Sequence, residues 1–573
     1  MAQRAGATKQ RQASRRRSGG EPPALETIFA DVALGHGQRL FPGLAGIKLA
    51  AKLATRPQIP VRQSLGLGAE LGKIVIGRSE LEPDRGDRRF KDPAWKQNPA
   101  FRRLCQSYLA LGQAVDGAID AASLDWRAEQ RVRFAAMNVL DAIAPTNFPQ
   151  TNPTVLKAAI DSGGLNFVQG ARQLARDLRR RQLLPSSVDE SKFEVGRDLA
   201  VTPGAVVLRT KAFELIQYEP QTKKVREKPL LVAPQMINKY YIADLAPGRS
   251  LFEHAVRHGQ QVFVMSWRNP DERHTDWNFD TYCIAVLEAL EAVEKITDSE
   301  QTHLMGLCAG GNIAAMVAGH LAATGQQDRI AGLTLPVTVL DWSRAGVAGA
   351  FMDDSTAAAA VAESARRGYL SGRTLAGVFA WMRPNDMVWG YVVNNYLLGK
   401  PPPPFDVLYW NADQTNMPAA LHRDFLQLGL ENSLARPGEM SVLGTPIDLS
   451  QVTVDSYLVA AISDHIAPWR SAYRTTQLLG SEPRFVLSTS GHIVAIVNPP
   501  NNEKAKLRTN DANPPDPDEW LECASTQSGS WWPDWTDWLG ERSGEEKDAP
   551  KQPGGGAFSI LGEAPGTYVR EPA

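Results

Sequence analysis

The chain has 573 residues, with 62 Lys and Arg against 63 Asp and Glu and 43% hydrophobic residues. This length allows a large core with insertions or more than one domain, and the near-cancelled charge argues against a chain built as a whole to bind nucleic acid. The four cysteines, Cys105, Cys283, Cys308 and Cys523, are widely spaced with no C-x-x-C pair; this argues against a disulfide framework or a zinc site and fits a reducing cytoplasm.

Residues 1–24 open the chain, and "MAQRAGATKQRQASRRRSGG" holds six Lys and Arg and no acid. It lacks the apolar centre of a secretory signal, so it predicts a disordered basic tail, with weak adhesion to an anionic surface as the alternative. No apolar run of about 18 residues occurs in the chain, so no transmembrane segment is expected. Residues 25–195 are rich in Ala, Leu and Arg, and "FRRLCQSYLALGQAVDGAI" spaces its apolar residues by three and four. That periodicity predicts a helical N-terminal region.

From about residue 196 the texture changes. Short apolar runs at 229–234, 261–267, 302–305, 330–340, 455–463 and 484–490 suit strands buried on both faces. Between the second and third, Tyr282, Val286, Leu290 and Val293 line one helical face. Strands alternating with helices predict an α/β domain over 196–545 with a mainly parallel sheet. The alternation pauses over 342–444, which is expected to be a cap or lid over an active site. Its Trp381, Trp389 and Trp410 are read as packing residues. The four tryptophans of "SGSWWPDWTDWLGERSG" are expected to dock a helix, and 546–573 to form a flexible polar tail.

The third run leads into "HLMGLCAGGN", where Gly306, Cys308 and Gly310 form G-x-C-x-G. This is the nucleophile-elbow pattern G-x-S-x-G with sulfur replacing oxygen, and the flanking glycines suit a turn too tight for a Cβ. A lone thiol is ordinarily a buried, inert residue, but the two glycines argue against that here. An elbow nucleophile needs a base and a group that orients the base, in the chain order nucleophile, acid, histidine on loops after late strands. Asp464 follows the fifth run and His492 the sixth. The competitors are Asp341 as the acid and His465 as the base, while His303 is read as structural and His320 as facing away on the elbow helix. The backbone N–H of Ala309, with one from Met236 or Ile237 after the first run, is expected to form the oxyanion hole. The fold class is therefore the α/β-hydrolase fold, with no metal and no bound cofactor expected.

The thiol itself carries information. A free thiol with pKa near 8.5 is only about 3% ionised at neutral pH, and a histidine partner and a helix N-terminus both favour its thiolate. A serine attacking a thioester makes an oxygen ester, which lies downhill. A cysteine exchanges one thioester for another, so the acyl group stays activated for transfer to an alcohol. Acyl transfer is thus favoured over hydrolysis.

"GLCAGG", "INKYYIADL", "VFVMSWRNPD", "DHIAPW", "SGHIVAIVNPP" and "GSWWPDW" together resemble the polyhydroxyalkanoate synthases, over about residues 90–545. The resemblance implies polymerisation of (R)-3-hydroxyacyl-CoA, with Cys308 carrying the acyl group, His492 as base and Asp464 as third member, and CoA as a leaving group rather than a cofactor. It also implies that Asp464 helps activate the hydroxyl of the growing chain, and that a homodimer works in the cytoplasm at the surface of polyester granules. "LARPGEMSVLGTPIDL" is closer to the medium-chain branch, while "INKYYIADL" is shared with the short-chain branch. Two other readings are a cysteine hydrolase of lactones or thioesters, told apart by a free-acid product, and a catalytically idle granule-coating protein, which the intact Cys, Asp and His set argues against.

Overall fold

The computed structural model describes residues 42–180, 184–343 and 354–573. The basic tail expected over 1–24 lies outside the described residues. The N-terminal region is helical as its periodicity predicts, with long helices at Gln58–Val75, Pro99–Ala122, Trp126–Ala142 and Leu165–Arg179. Local sequence sets their starts. Asn98 accepts from the Ala100 N–H at 2.9 Å ahead of Pro99, and Asp125 accepts from the Ala128 N–H at 3.0 Å. Each cap satisfies a donor that the helical ladder leaves free.

Among the described residues, eleven strands form one sheet: β1 (Gly204–Arg209), β2 (Phe213–Tyr218), β3 (Leu230–Ala233), β4 (Val262–Trp267), β5 (Thr302–Gly306), β6 (Ile330–Pro336), β7 (Ser456–Ala461), β8 (Arg484–Ser488), β9 (Lys506–Thr509), β10 (Ser525–Ser528) and β11 (Gly562–Glu563). Their order is β10-β9-β8-β7-β6-β5-β3-β4-β2-β1-β11. The six apolar runs are β3 to β8, and they are mutually parallel. Every residue of β3, β4, β5 and β7 is buried, as expected of strands covered on both faces. On one face Leu231, Phe263 and Leu304 pack with the helices Phe279–Thr297 and Ala309–Ala323. On the other, Leu230, Val232 and Met305 pack with Trp531, Trp535 and Leu539.

The segment between β6 and β7 rises over the carboxyl ends of these strands. It includes the helices Gly372–Met382 and Ala419–Glu431, and two π-helical stretches at Asn385–Trp389 and Val392–Leu397. The N-terminal helices brace it. Arg89 donates to Asn385 Oδ1 at 3.0 Å, and Asn385 in turn donates to Asp141 Oδ1 at 2.7 Å. Tyr396 donates to Asp177 at 2.7 Å, and Asn166 donates to the Leu397 carbonyl at 2.8 Å. The approach is close enough that a Cβ on Gly170 would lie 1.9 Å from the Tyr396 carbonyl oxygen.

The expected flexible tail over 546–573 is a correction. Glu546–Asp548 pairs with Lys224–Arg226, and β11 pairs with β1. The Thr567 and Tyr568 N–H groups donate to the buried Glu214 carboxylate at 2.8 and 2.9 Å, and Lys239 donates to the Glu571 carbonyl at 2.6 Å. The polar composition that suggested solvation instead supplies partners to buried groups.

Candidate active site

The turn between β5 and the elbow helix (Ala309–Ala323) holds Cys308 at φ 52° and ψ −118°. A non-glycine residue holds such a conformation only when its surroundings impose it. Its N–H donates to the Pro336 carbonyl at 3.0 Å, and Thr338 donates to its carbonyl at 3.2 Å. The glycines explain the tightness. A Cβ on Gly306 would lie 2.5 Å from the Gly311 Cα, and one on Gly310 would lie 2.3 Å from the Ala233 carbonyl oxygen. Glycine at 306 thus lets the elbow helix fold back over the end of β5, and glycine at 310 lets it seat against the end of β3.

His492 and Asp464 come together behind the sulfur. Asp464 follows β7, its side chain is fully buried, and its Oδ1 accepts from the Ile466 and Ala467 N–H groups, each at 2.8 Å. Its Oδ2 lies 2.6 Å from His492 Nδ1. That contact fixes the ring, with Nδ1 donating to the carboxylate and the other nitrogen left for Cys308, to which His492 is hydrogen-bonded. His492 opens the short helix His492–Ile496 after β8. The end of that helix is held by indoles: Trp531 donates to the Ala495 carbonyl at 2.6 Å and Trp532 to that of Ile496 at 3.2 Å. The tryptophan cluster was legible as a docking helix, but its hold on the histidine was not.

Burial acts to lower the His492 pKa, but the negative charges of Cys308 and Asp464 outweigh it and raise the value to about 10. The ring therefore stays protonated through neutral pH and sets a positive charge beside the Cys308 sulfur. The expected consequence is that Cys308 in the wild type is alkylated by iodoacetamide at pH 7 about 10- to 100-fold faster than in His492→Gln. The gap should narrow towards pH 10, where the ring gives up its proton and bulk alkali ionises any thiol. Equal rates at pH 7 would rule out the charged pair.

The competitors are placed elsewhere or kept neutral. Asp341 accepts from the Ser343 N–H at 2.9 Å and from Asn432 Nδ2 at 3.0 Å, and forms a looser pair with Arg474 at 3.5 Å, so it anchors the start of the insertion. Burial, with Arg383 nearby, lowers the His465 pKa to about 4. His303 faces Ser543 at 3.1 Å, and burial lowers its pKa to about 3. His320 faces Thr445 at 3.1 Å.

Cys308, Ala309 and Ile237 border a cavity of about 250 Å³ whose other walls include Leu375, Phe379 and Phe425 from the insertion. The insertion thus lies over the sulfur as a cap. Ala309 is the first residue of its helix, where N–H groups lack intrahelical acceptors. Of the two residues expected to complete the oxyanion hole, Ile237 borders the cavity, whereas the Met236 side chain is buried in the core.

A strained cysteine elbow after β5, an acid after β7 and a histidine after β8 fill the places that an α/β-hydrolase-fold enzyme gives to nucleophile, acid and base. Residues 229–499 match the alpha/beta hydrolase fold family, and residues 86–255 match the family described as Poly-beta-hydroxybutyrate polymerase (PhaC) N-terminus. The chain is 46% identical over 505 residues to Poly(3-hydroxyalkanoate) polymerase 2 of Ectopseudomonas oleovorans, covering 88% of this chain and 90% of that one. It is 40% identical over 537 residues to the Poly(3-hydroxyalkanoate) polymerase subunit PhaC of Cupriavidus necator, covering 92% and 90%. The chain belongs to the poly(3-hydroxyalkanoate) polymerase family.

Proposed function

We propose that this chain polymerises (R)-3-hydroxyacyl-CoA to polyhydroxyalkanoate with release of CoA, by covalent catalysis on Cys308. The observation that carries the reading is the Cys308, His492 and Asp464 constellation opening on an apolar, capped cavity. The Cys308 thiolate attacks the thioester carbonyl, and the oxyanion is held by the Ala309 N–H and one from the Met236–Ile237 loop. The carbon–sulfur bond to CoA breaks, and CoA leaves as a thiol with the proton from His492. The acyl group is then a thioester on Cys308. A 3-hydroxyl attacks its carbonyl, His492 takes the hydroxyl proton, a new ester bond forms and the Cys308 sulfur is released. CoA is a leaving group, and each step uses only substrate and these side chains.

The walls that the cap sets around Cys308 are mainly apolar, which favours transfer to an alcohol over hydrolysis. Among the described residues no helix is long and apolar enough to cross a membrane. Leu44, Ile47, Leu65 and Val75 are exposed on the N-terminal helices, which supports work by a cytoplasmic homodimer at the surface of polyester granules. Incubation with C4 and C8 (R)-3-hydroxyacyl-CoA, each alone, should give thiol release together with polymer. Thiol release with only free hydroxy acid would overturn the polymerase reading.

A further inference from the structure

Asn312 lies four residues after Cys308, just past the first turn of the elbow helix that Cys308 precedes. Asn312 lines the same cavity as Cys308. It is only 2% exposed, and its Oδ1 has no hydrogen-bond partner. Val339, Leu375, Phe379, Met417 and Phe425 share that cavity, and none has a side chain that can donate to it. His422, another polar wall residue, is engaged with Ser364 at 2.9 Å. The indole N–H of Trp342 also borders the cavity unpaired, but as a donor it does not compete for a ligand proton. A buried acceptor in an apolar cavity is costly to leave unmet, and a ligand that brings a donor to it is favoured over one that does not.

We propose that Asn312 Oδ1 accepts a hydrogen bond from the 3-hydroxyl of the acyl group on Cys308 and so selects hydroxylated acyl units over plain ones. The proposal rests on the polymerase reading above and names the residue that recognises the group to be polymerised. In the acyl-enzyme the hydroxyl oxygen is four bonds from the sulfur, a span comparable to the turn of helix that separates the two residues. With the thioester carbonyl directed at the Ala309 N–H, the acyl chain runs along the elbow helix past Asn312. A unit without the hydroxyl desolvates Oδ1 and leaves it unpaired.

The test is the first burst of CoA from the full chain, measured separately with (R)-3-hydroxybutyryl-CoA and butyryl-CoA. Wild type should favour the hydroxylated thioester. Asn312→Leu, similar in size but without the acceptor, should cut that ratio by about 10- to 100-fold, while Asn312→Ser should keep an intermediate ratio. Iodoacetamide labelling of Cys308 shows whether each variant retains its elbow, and Asn312→Ala replaces the leucine variant if it does not. An unchanged ratio in a variant that still labels, or a wild-type ratio near one, overturns the proposal. Failure of the wild type to release any CoA from the hydroxylated thioester counts instead against the polymerase reading, so the two failures are distinct.

Discussion

Cys308→Ala is expected to abolish CoA release, a loss on the order of 10⁴-fold or more, whereas Cys105→Ala, Cys283→Ala and Cys523→Ala each remain active. Cys308 alone among the four borders the capped cavity and pairs with the histidine. Burial pushes the Cys105 thiol up to about 12 and raises that of Cys283 as well, so neither supplies a thiolate at neutral pH. Cys523 is exposed at the end of the helix Pro517–Cys523. Thiol release in the first seconds, measured with the purified full chain, decides the matter, and substantial polymerisation by Cys308→Ala would sink the mechanism. Cys308→Ser sharpens it. The serine ester lies below the CoA thioester in free energy, so any acyl group it accepts should stay on the protein. The expected pattern is a slow burst that never exceeds one CoA per site.

How far the sequence revealed this arrangement follows from where each residue sits in the sheet. Strands β3 to β8 are buried on both faces, so each had to be a short apolar run, and all six were legible. The edges were not. β10 is "STQS", exposed at every residue, and carries no apolar signal. In β2, Glu214 sits fully buried between Phe213 and Leu215. Its carboxylate is matched by the Thr567 and Tyr568 N–H groups more than 350 residues later. That partnership also explains why the polar C-terminal segment is held in place. The elbow and its two partners were legible because tight turns demand glycine and because the acid and base must follow particular strands. Asn312 was not, because an asparagine on a small-residue helix reads as ordinary until the apolar walls around it are known.

Asp464→Asn separates the two half-reactions. The Asp464 side chain is fully buried, its Oδ1 is occupied by two backbone N–H groups, and its Oδ2 is committed to His492. It therefore acts on the substrate through the histidine, not by reaching the hydroxyl itself. An asparagine that keeps the two backbone contacts presents an NH₂ to His492 Nδ1. The ring must then accept at Nδ1 and carry its proton on the nitrogen that faces Cys308. That is the wrong tautomer for a base. The two steps need the base unequally. A thiol needs less help to lose its proton than a 3-hydroxyl, which is far less acidic and does not attack until its proton has somewhere to go. General-base assistance is worth roughly 10²–10⁴-fold in rate, and the larger share of the loss should fall on elongation. With Asp464→Asn, rapid mixing should therefore show a slowed but surviving burst of CoA equal to the enzyme, followed by a steady phase close to zero. His492→Ala should lose more of the burst, since it removes the positive charge beside the sulfur as well as the base. Equal losses in the two phases of Asp464→Asn would mean that acylation of Cys308 needs the oriented imidazole as much as ester formation does, and the division of labour drawn here would be wrong.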